Sequence, residues 1–553
     1  MMQSYSEHYI QELPLSSPFF RKKVECFLGE NGLRMEALDV YCAIENEAGE
    51  LLAGAGLYRD IIKCIAVAAQ ARSEGLVAPL VSHLISLASA QGILELKLFT
   101  KPENQAIFES LGFHLLASAP KAILMENGRG LERYCDYLRG KREEGRCGVV
   151  VMNANPFTLG HRYLLEQAAA QVDALFVIPV KEESQRFSYE ERKSMIEASF
   201  SPTAGNNYFL SSCPKNQISS AGKIIVLEGS EYQISAATFP TYFLKDLSDA
   251  AETHIRLDLD LFRHHIAPAL NAEVRFVGSE PYDALTNHYN TIMKEVLSEV
   301  VEIQRLTHAD AVSASAVRAA LDKGSFREAS ALCPETTWPY LLAYLADRAL
   351  RLELDTPGKP GLVGPDSNGA HKDMTYATME AGIKALRPFW PRMAMAQSAE
   401  ELRELGIEAE DAMMAATGGV NTHRGAIFCL GLALNACGES ARMADMAAQI
   451  CGGNHSRGAR QMALEGYKPL FEDWLPYYAS GAGELRTLLR IMSTLEDTCV
   501  IRRVGNERAQ EVKREALTVN PETLCERYAA EGVSPGGAAD MLALTIFIHS
   551  IIL

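Results

Sequence analysis

The chain has 553 residues, a formal net charge of −17, 48% apolar and 22% charged residues. That length implies two to four domains, and the composition is that of a folded globular protein, not a disordered or fibrous one. The acidic balance argues against general binding to nucleic acid or to an anionic membrane, while leaving a local nucleotide site open.

Up to about Glu126 the pattern mixes strands and helices. "ECFLGENGLRMEALDVYCAIENEAGELLAGAGLYRDIIKCIAVA" has short apolar runs broken by Gly, Asn and acidic residues, a meander-like texture. A helix is predicted from Leu76 to Ala90, then the strand "LELKLFT", then a helix from Asn104 to Leu111. "NGRGLERYCDYLRGKREEGRCG" reads as a glycine-flanked connector helix. From Gly148 to about Glu328 strands and helices alternate: "GVVVMNA", "HRYLLEQAAAQV", "ALFVIPV", "YEERKSMIEASF" and, further on, the strand "VRFVGSE". Such alternation implies a parallel sheet with right-handed crossovers. Beyond about Pro334 strand signals nearly vanish, and the remainder is predicted to be all helical. No internal repeat is visible. The 12 cysteines include no CxxC pair, as expected of thiols in a reducing compartment. The opening "MMQSYSEHYIQELPLSS" lacks a basic segment followed by an apolar core, so no signal peptide is expected. The run "MLALTIFIHSIIL" falls short of the ~20 residues that span a bilayer. A cytoplasmic enzyme without membrane or nucleic-acid partners is the starting expectation.

Chemistry first enters at "NANPFTLGH". A strand ending there puts a loop and a helix N-terminus at the carboxyl edge of a parallel sheet. Unpaired N–H groups and the helix dipole favour phosphate at such a place. Gly160 lets backbone approach closely, and Thr158 and His161 can donate to a phosphate. Taken alone, Gly-His at a helix start is more often a cap. After the next strand, "KEESQRFSYEERKSMI" brings Lys181, Arg186 and Arg192 toward the same edge, and Ser188 with Glu191 has capping-box spacing. In "SASAVR", Ser313 and Ser315 open a helix that carries Arg318, a second phosphate cradle or an ordinary N-cap with a surface arginine.

The helical part holds four polar clusters. Lys359, Asn368, His371, Lys372 and Asp373 lie in "TPGKPGLVGPDSNGAHKDM". Asn421, His423 and Arg424 lie in "GGVNTHRGAIF", Glu496 and Asp497 in "STLEDT", and Asp540 in "SPGGAADML". Cations for phosphates and carboxylates for Mg²⁺ fit a triphosphate site, although each cluster by itself matches ordinary helix capping.

These motifs carry resemblances. "FTLGH" resembles the HxGH-type motif of nucleotidylyltransferases, with Thr158 at its first position, and "SASAVR" their ISSTxxR-type motif. "ATFPTYFLKD" (Ala237 to Asp246) and "VGSEPYDALTNHYN" (Val277 to Asn290) resemble the citrate lyase ligases within that superfamily. The resemblance implies a Rossmann-like α/β domain over 145–330. There, ATP and acetate would give acetyl-adenylate and pyrophosphate, and the acetyl group would pass to the thiol of the citrate lyase acyl carrier subunit. It implies that His161 and Thr158 stabilise the α-phosphate in transit, that Lys181 holds phosphate charge, and that Arg318, Ser313 and Ser315 hold the β and γ phosphates. Asn155, Phe157, Gly160 and Arg186 would complete the ATP site. The stretch 201–222 is longer and more polar than the family pattern: a surface insertion or a modified lid.

Residues 1–130, through "ARSEGLV" and "NQAIFESLGF", resemble GNAT acetyltransferases, an α+β fold. The pyrophosphate turn would be Arg72, Gly75 and Val77, with Val77 where the family carries a small residue, which implies a degenerate binding or docking role. The helical clusters resemble triphosphoribosyl-dephospho-CoA synthase over 335–553, with an extra glycine at Gly358. That implies ATP and 3′-dephospho-CoA as substrates and adenine as a product. Asp373 and Asp497 would be catalytic and bind Mg²⁺, and Lys359, His371, His423, Arg424 and Asp540 would bind ATP. Two other readings compete: a generic adenylyltransferase with a helical regulatory tail, and a non-catalytic nucleotide-sensing scaffold.

Overall fold

A computed structural model of the chain describes residues 9–182, 185–201, 222–233, 247–279, 284–305, 312–451 and 458–552. The motif Ala237–Asp246, most of 201–222 and part of the motif beginning at Val277 lie outside the described residues. The chain forms two compact units. One comprises residues 1–153, 164–184 and 218–305; the other comprises 154–163, 185–217 and 306–553.

The first unit holds two sheets. Strands β1 (Ile10–Leu13), β2 (Val40–Glu45), β3 (Leu51–Tyr58), β4 (Ile61–Val67), β5 (Lys97–Thr100), β6 (His114–Ala119) and β7 (Ala122–Glu126) form a seven-stranded sheet in the order β1-β2-β3-β4-β5-β7-β6. It is antiparallel except where β4 meets β5, which pair in parallel only at Ile61↔Lys97 and Ile62↔Leu98. The helix Val77–Ala90 covers one face, burying Leu80, Val81, Leu84 and Ala88, the i, i+4 stripe that its sequence predicts.

Strands β8 (Cys147–Met152), β9 (Ala174–Pro179), β10 (Lys223–Val226), β11 (Ala272–Gly278) and β12 (Val300–Ile303) form a parallel sheet in the order β10-β9-β8-β11-β12. Its central runs are buried on both faces, the reason "ALFVIP" reads as an unbroken apolar stretch. The order reverses between β8 and β11, so the loop leaving β8 departs from the switch point, where ligands bind in such sheets. The connector expected near Gly130 is the helix Gly130–Arg139, and it is no loose linker. Leu131, Cys135 and Leu138 enter a core that also holds Tyr41 and Leu124 of the first sheet and Val149 and Phe176 of the second.

In the second unit the described residues beyond Trp338 contain no strand. Its centre is the helix Gly536–Ile552, apolar on every side and buried from Met541 to Ile548. That accounts for the apolar run near the C-terminus: a helix without a polar face is a core helix. Among the described residues no helix is long and apolar enough to cross a membrane.

Candidate active sites

The first candidate is built on the loop after β8 and the helix Leu159–Ala169. Thr158 is 1% exposed, and its hydroxyl accepts from the His161 N–H (3.3 Å), while the His161 ring Nδ1 accepts from the Thr158 N–H (3.1 Å). This is a capping box with histidine in the place of the usual glutamate. A ring whose Nδ1 accepts carries its neutral-state proton on Nε2, the nitrogen that is then the donor. Phe157, fully buried, stacks on the imidazole at 5.8 Å and 16°. Thus Thr158 and Phe157 orient His161. At Gly160 an added Cβ would meet the Val312 carbonyl oxygen at 3.4 Å, ordinary contact, so nothing in the protein itself requires glycine there.

Buried Asn155 ties three segments together. Its Oδ1 accepts from the Phe187 N–H (3.2 Å), its Nδ2 donates to Gln185 (2.5 Å), and its carbonyl accepts from Arg318 Nη1 (2.5 Å). Arg186 donates to the Arg318 carbonyl (2.9 Å), pairs with Asp322 (2.8 Å) and lies 5.2 Å over the Tyr344 ring. Burial first, and then the like charge of Arg186, lower the Arg318 pKa. Two guanidiniums in such proximity favour an anion. Ser313 caps the helix Ala314–Lys323 by accepting from Ala316 N–H (3.1 Å), and Ser315 Oγ sits 3.0 Å from it.

Two of the expected cations are engaged by other groups of the protein. Arg192 is fully buried and donates from Nε to the Phe187 carbonyl (3.2 Å), so it braces the loop and does not face solvent. Lys181 belongs to the first unit, 3.8 Å from Glu231, which also pairs with the buried Lys97 (3.1 Å). The expected capping box is present: Ser188 and Glu191 bond reciprocally at the start of the helix Tyr189–Phe200.

The second candidate is a cavity of about 170 Å³ among the helices, open to solvent on one side. Three of the four sequence clusters meet around it. His371, Asn421, His423, Arg424 and Asp540 line it, as do Glu353, Arg502, Arg503 and Ser534, which sequence reasoning missed. The pair Arg502-Arg503, one turn past "STLEDT", was the available signal.

Arg503 Nη2 lies 3.4 Å from His371 Nδ1, and His371 Nε2 lies 2.8 Å from Ser534 Oγ. Burial, then Arg503, lower the His371 pKa, and nearby Asp373, itself exposed, opposes this. His423 is buried with its pKa pushed down to about 4, by burial and then by Lys359, and its Nε2 has no hydrogen-bond partner among the described residues. Lys359 is buried in an ion pair with Glu353 (2.6 Å). Asp540 packs against the start of the helix Arg424–Asn435, where a Cβ on Gly425 would lie 1.9 Å from its carboxylate, so only glycine fits. Burial, then Asp497 and Glu353, raise the Asp540 pKa well above the carboxylate range. Asp497 is outside the cavity lining. Its Oδ1 accepts from Cys499 N–H (2.8 Å) and Val500 N–H (3.4 Å), and its Oδ2 accepts from Ala538 N–H (2.9 Å). Arg424 pairs with Glu410 at the rim.

The donor set fits Mg²⁺. Asp540 and Glu353 are hard oxygen donors on the wall, and a cation would offset the burial and the neighbouring carboxylate charge that raise the Asp540 pKa. No three His, Cys, Asp or Glu side chains converge into a metal site among the described residues, so most ligands would be phosphate oxygens and water.

Comparison with known proteins separates the same two regions. Residues 147–341 match the profile of the citrate lyase ligase C-terminal domain, and residues 339–453 and 448–552 match that of ATP:dephospho-CoA triphosphoribosyl transferase. The citrate (pro-3S)-lyase ligase of Klebsiella pneumoniae is 41% identical over 335 residues, 58% of this chain and 92% of that protein. That of Escherichia coli K12 is 39% identical over 57% of this chain and 88% of its own length. The 2-(5''-triphosphoribosyl)-3'-dephosphocoenzyme-A synthase of Klebsiella pneumoniae is 36% identical over 263 residues, 38% of this chain and 94% of that protein. Two families are therefore joined in one polypeptide: the chain belongs to the citrate lyase ligases through its N-terminal part and to the triphosphoribosyl-dephospho-CoA synthases through its C-terminal part.

Proposed function

We propose that this is a bifunctional enzyme of citrate lyase maturation, acting in the cytoplasm. In its ligase reaction, an acetate oxygen bonds to the α-phosphorus of ATP and pyrophosphate leaves. The thiolate of the citrate lyase acyl carrier's prosthetic group then attacks the acetyl carbon, and AMP leaves. His161 donates from Nε2 to the α-phosphate as charge builds there, with its ring held by Thr158 and Phe157. Arg186 and Arg318, with Ser313 and Ser315 at a helix N-terminus, take the outer phosphates. Asn155 holds these segments in register, and Gly160 leaves room for the nucleotide. The single observation carrying this reading is the reciprocal Thr158–His161 bond, which fixes the imidazole at the helix start with Nε2 as its donor nitrogen.

In the synthase reaction a hydroxyl oxygen of 3′-dephospho-CoA bonds to C1′ of the ATP ribose, and the bond from C1′ to adenine breaks. Arg502, Arg503 and Arg424 face the triphosphate, His371 is oriented by Ser534 and Arg503, and Asp540 stands where a sugar cation gains from a carboxylate. Lys359 and His423 shape the wall beneath. Asp540 and Glu353 would hold a Mg²⁺ ion with the triphosphate, with Asp373 and Asp497 as further candidates, and the ion would supply charge neutralisation there.

The corresponding domains are a GNAT-like domain over 1–130, a Rossmann-like nucleotidylyltransferase domain over 145–330 and the synthase domain over 335–553. Support for the first comes from the short parallel contact of β4 with β5 and the turn at Gly75 (φ +69°) into the helix Val77–Ala90. Strand order and the loop after β8 support the second. One experiment tests both activities: chromatography of nucleotides after incubation with ATP and 3′-dephospho-CoA, and separately with ATP, acetate and deacetylated carrier. Adenine in the first mixture and AMP in the second are expected. AMP transferred to a phosphate ester, or normal ATP binding without turnover, overturns the reading.

A further inference from the structure

The two family matches overlap at residues 339–341, inside the single helix Trp338–Asp355, so no linker separates them. Past residue 341, where the ligase match stops, three side chains reach back to ligase segments. Tyr344 lies under the Arg186 guanidinium and 6.0 Å from the Phe187 ring. Arg348 donates to the Asp322 carbonyl (3.3 Å), at the end of the helix that carries Arg318. Arg387, at the end of the helix Tyr376–Leu386, donates to the Arg186 carbonyl and reaches the Glu191 carboxylate (3.4 Å). Glu191 in turn accepts from Ser188 N–H (2.6 Å), so Arg387 grips both the loop and the helix cap behind it.

We propose that the synthase part of the chain completes the ligase site, with Arg387 as a positioning residue that holds the Arg186 loop and Tyr344 as the seat of the Arg186 guanidinium. The physical need is plain. Arg186 and Arg318 carry like charge, and an empty site drives them apart; a clamp that holds them together before ATP arrives lowers the reorganisation that binding requires. Without the residues beyond 341, the Arg186 guanidinium would keep its bonds to the Arg318 carbonyl and Asp322 but lose the Tyr344 face and the Arg387 grip on its loop. The inference rests on the assignment of Arg186 to ATP, and its test separates the two.

The assay is acetate-dependent exchange of labelled pyrophosphate into ATP, measured against ATP concentration for the full chain and for Arg387→Ala, Arg387→Lys, Arg186→Ala and the double variant. Adenine release from ATP and 3′-dephospho-CoA is followed on the same preparations. Arg387→Ala is expected to raise the KM for ATP about tenfold, the loss of one charge-assisted hydrogen bond at a part-exposed site, with little change in kcat and none in adenine release. Arg387→Lys is expected to recover most of the loss, because an ammonium also donates to the carbonyl and the carboxylate. In the Arg186→Ala background, Arg387→Ala is expected to add almost nothing. A wild-type KM in Arg387→Ala, with a raised one in Arg186→Ala, overturns the clamp and leaves the Arg186 assignment standing. Unchanged ATP dependence in Arg186→Ala overturns that assignment and the clamp with it. Multiplying effects in the double variant, or lost adenine release in Arg387→Ala, show Arg387 acting by another route and also overturn the proposal.

Discussion

Asp497 offers a sharp test, because its hydrogen bonds and its sequence context point to different roles. A carboxylate in "STLEDT" suggests chemistry or Mg²⁺, whereas its two oxygens accept three backbone N–H groups, from Cys499, Val500 and Ala538. It therefore caps the helix Thr498–Thr518 and pins that cap to the start of the core helix Gly536–Ile552. Asp497→Ala removes an N-cap, at about 1 kcal/mol, and strands the buried Ala538 amide, at roughly 1–3 kcal/mol. The sum, about 3 kcal/mol, corresponds to a fall in melting temperature on the order of 6–12 °C for a unit of this size. Asp497→Asn keeps the Oδ1 acceptor but turns an N–H toward Ala538, so about half of that loss is expected. Thermal unfolding followed by near-ultraviolet circular dichroism gives the stability, and adenine release at 25 °C per folded molecule gives the chemistry. If Asp497 acts as a cap, Asp497→Asn melts early yet turns over within a few-fold of wild type. An Asp497→Asn variant with unchanged melting and adenine release down by a hundredfold would refute the reasoning and make the carboxylate itself catalytic.

Three further outcomes are expected. His161→Ala should lower acetate-dependent AMP formation by about 10²–10³, the effect of losing one oriented donor, and leave adenine release intact; joint loss in a folded variant argues against separate sites. Gly160→Ala should fold and melt like wild type, since its methyl group meets only ordinary contacts; AMP formation nonetheless falls at least tenfold if phosphate packs against that backbone, and full activity would remove the close-approach argument. His423 has a folded pKa of about 4 against ~6.5 unfolded, so the unfolded chain binds the extra proton and stability falls as pH drops through this window. Urea midpoints at pH 7.5 and 5.0 should show a loss of about 2 kcal/mol from this group, absent in His423→Gln; equal losses in both proteins would contradict a buried neutral imidazole.

Much of the local structure was legible in the sequence. The helix over Tyr189–Phe200 and its Ser188–Glu191 capping box stand as read, because both depend on spacing within one turn. Strands β8 and β9 were visible as buried apolar runs, whereas β10 and β12, four-residue edge strands, were too short to leave a pattern. Arg192 reads like its neighbours Lys181 and Arg186 along the chain, and burial alone turns it into an internal brace. Thr158 reads as a phosphate donor, yet its hydroxyl is engaged in fixing His161.

The sequence by itself determined that the chain joins two enzyme families and which short motifs carry each. Those motifs are contiguous, so spacing within a few residues is enough to read each of them. Only the tertiary structure decided that Ser534 and Arg503 orient His371, that Glu353 and Asp540 share one cavity wall, and that Arg387 grips the loop of Arg186. Those partners are separated by more than a hundred residues along the chain, and no periodicity links them. They meet because helices bury their apolar faces against one another, and that packing brings the polar residues at their ends together.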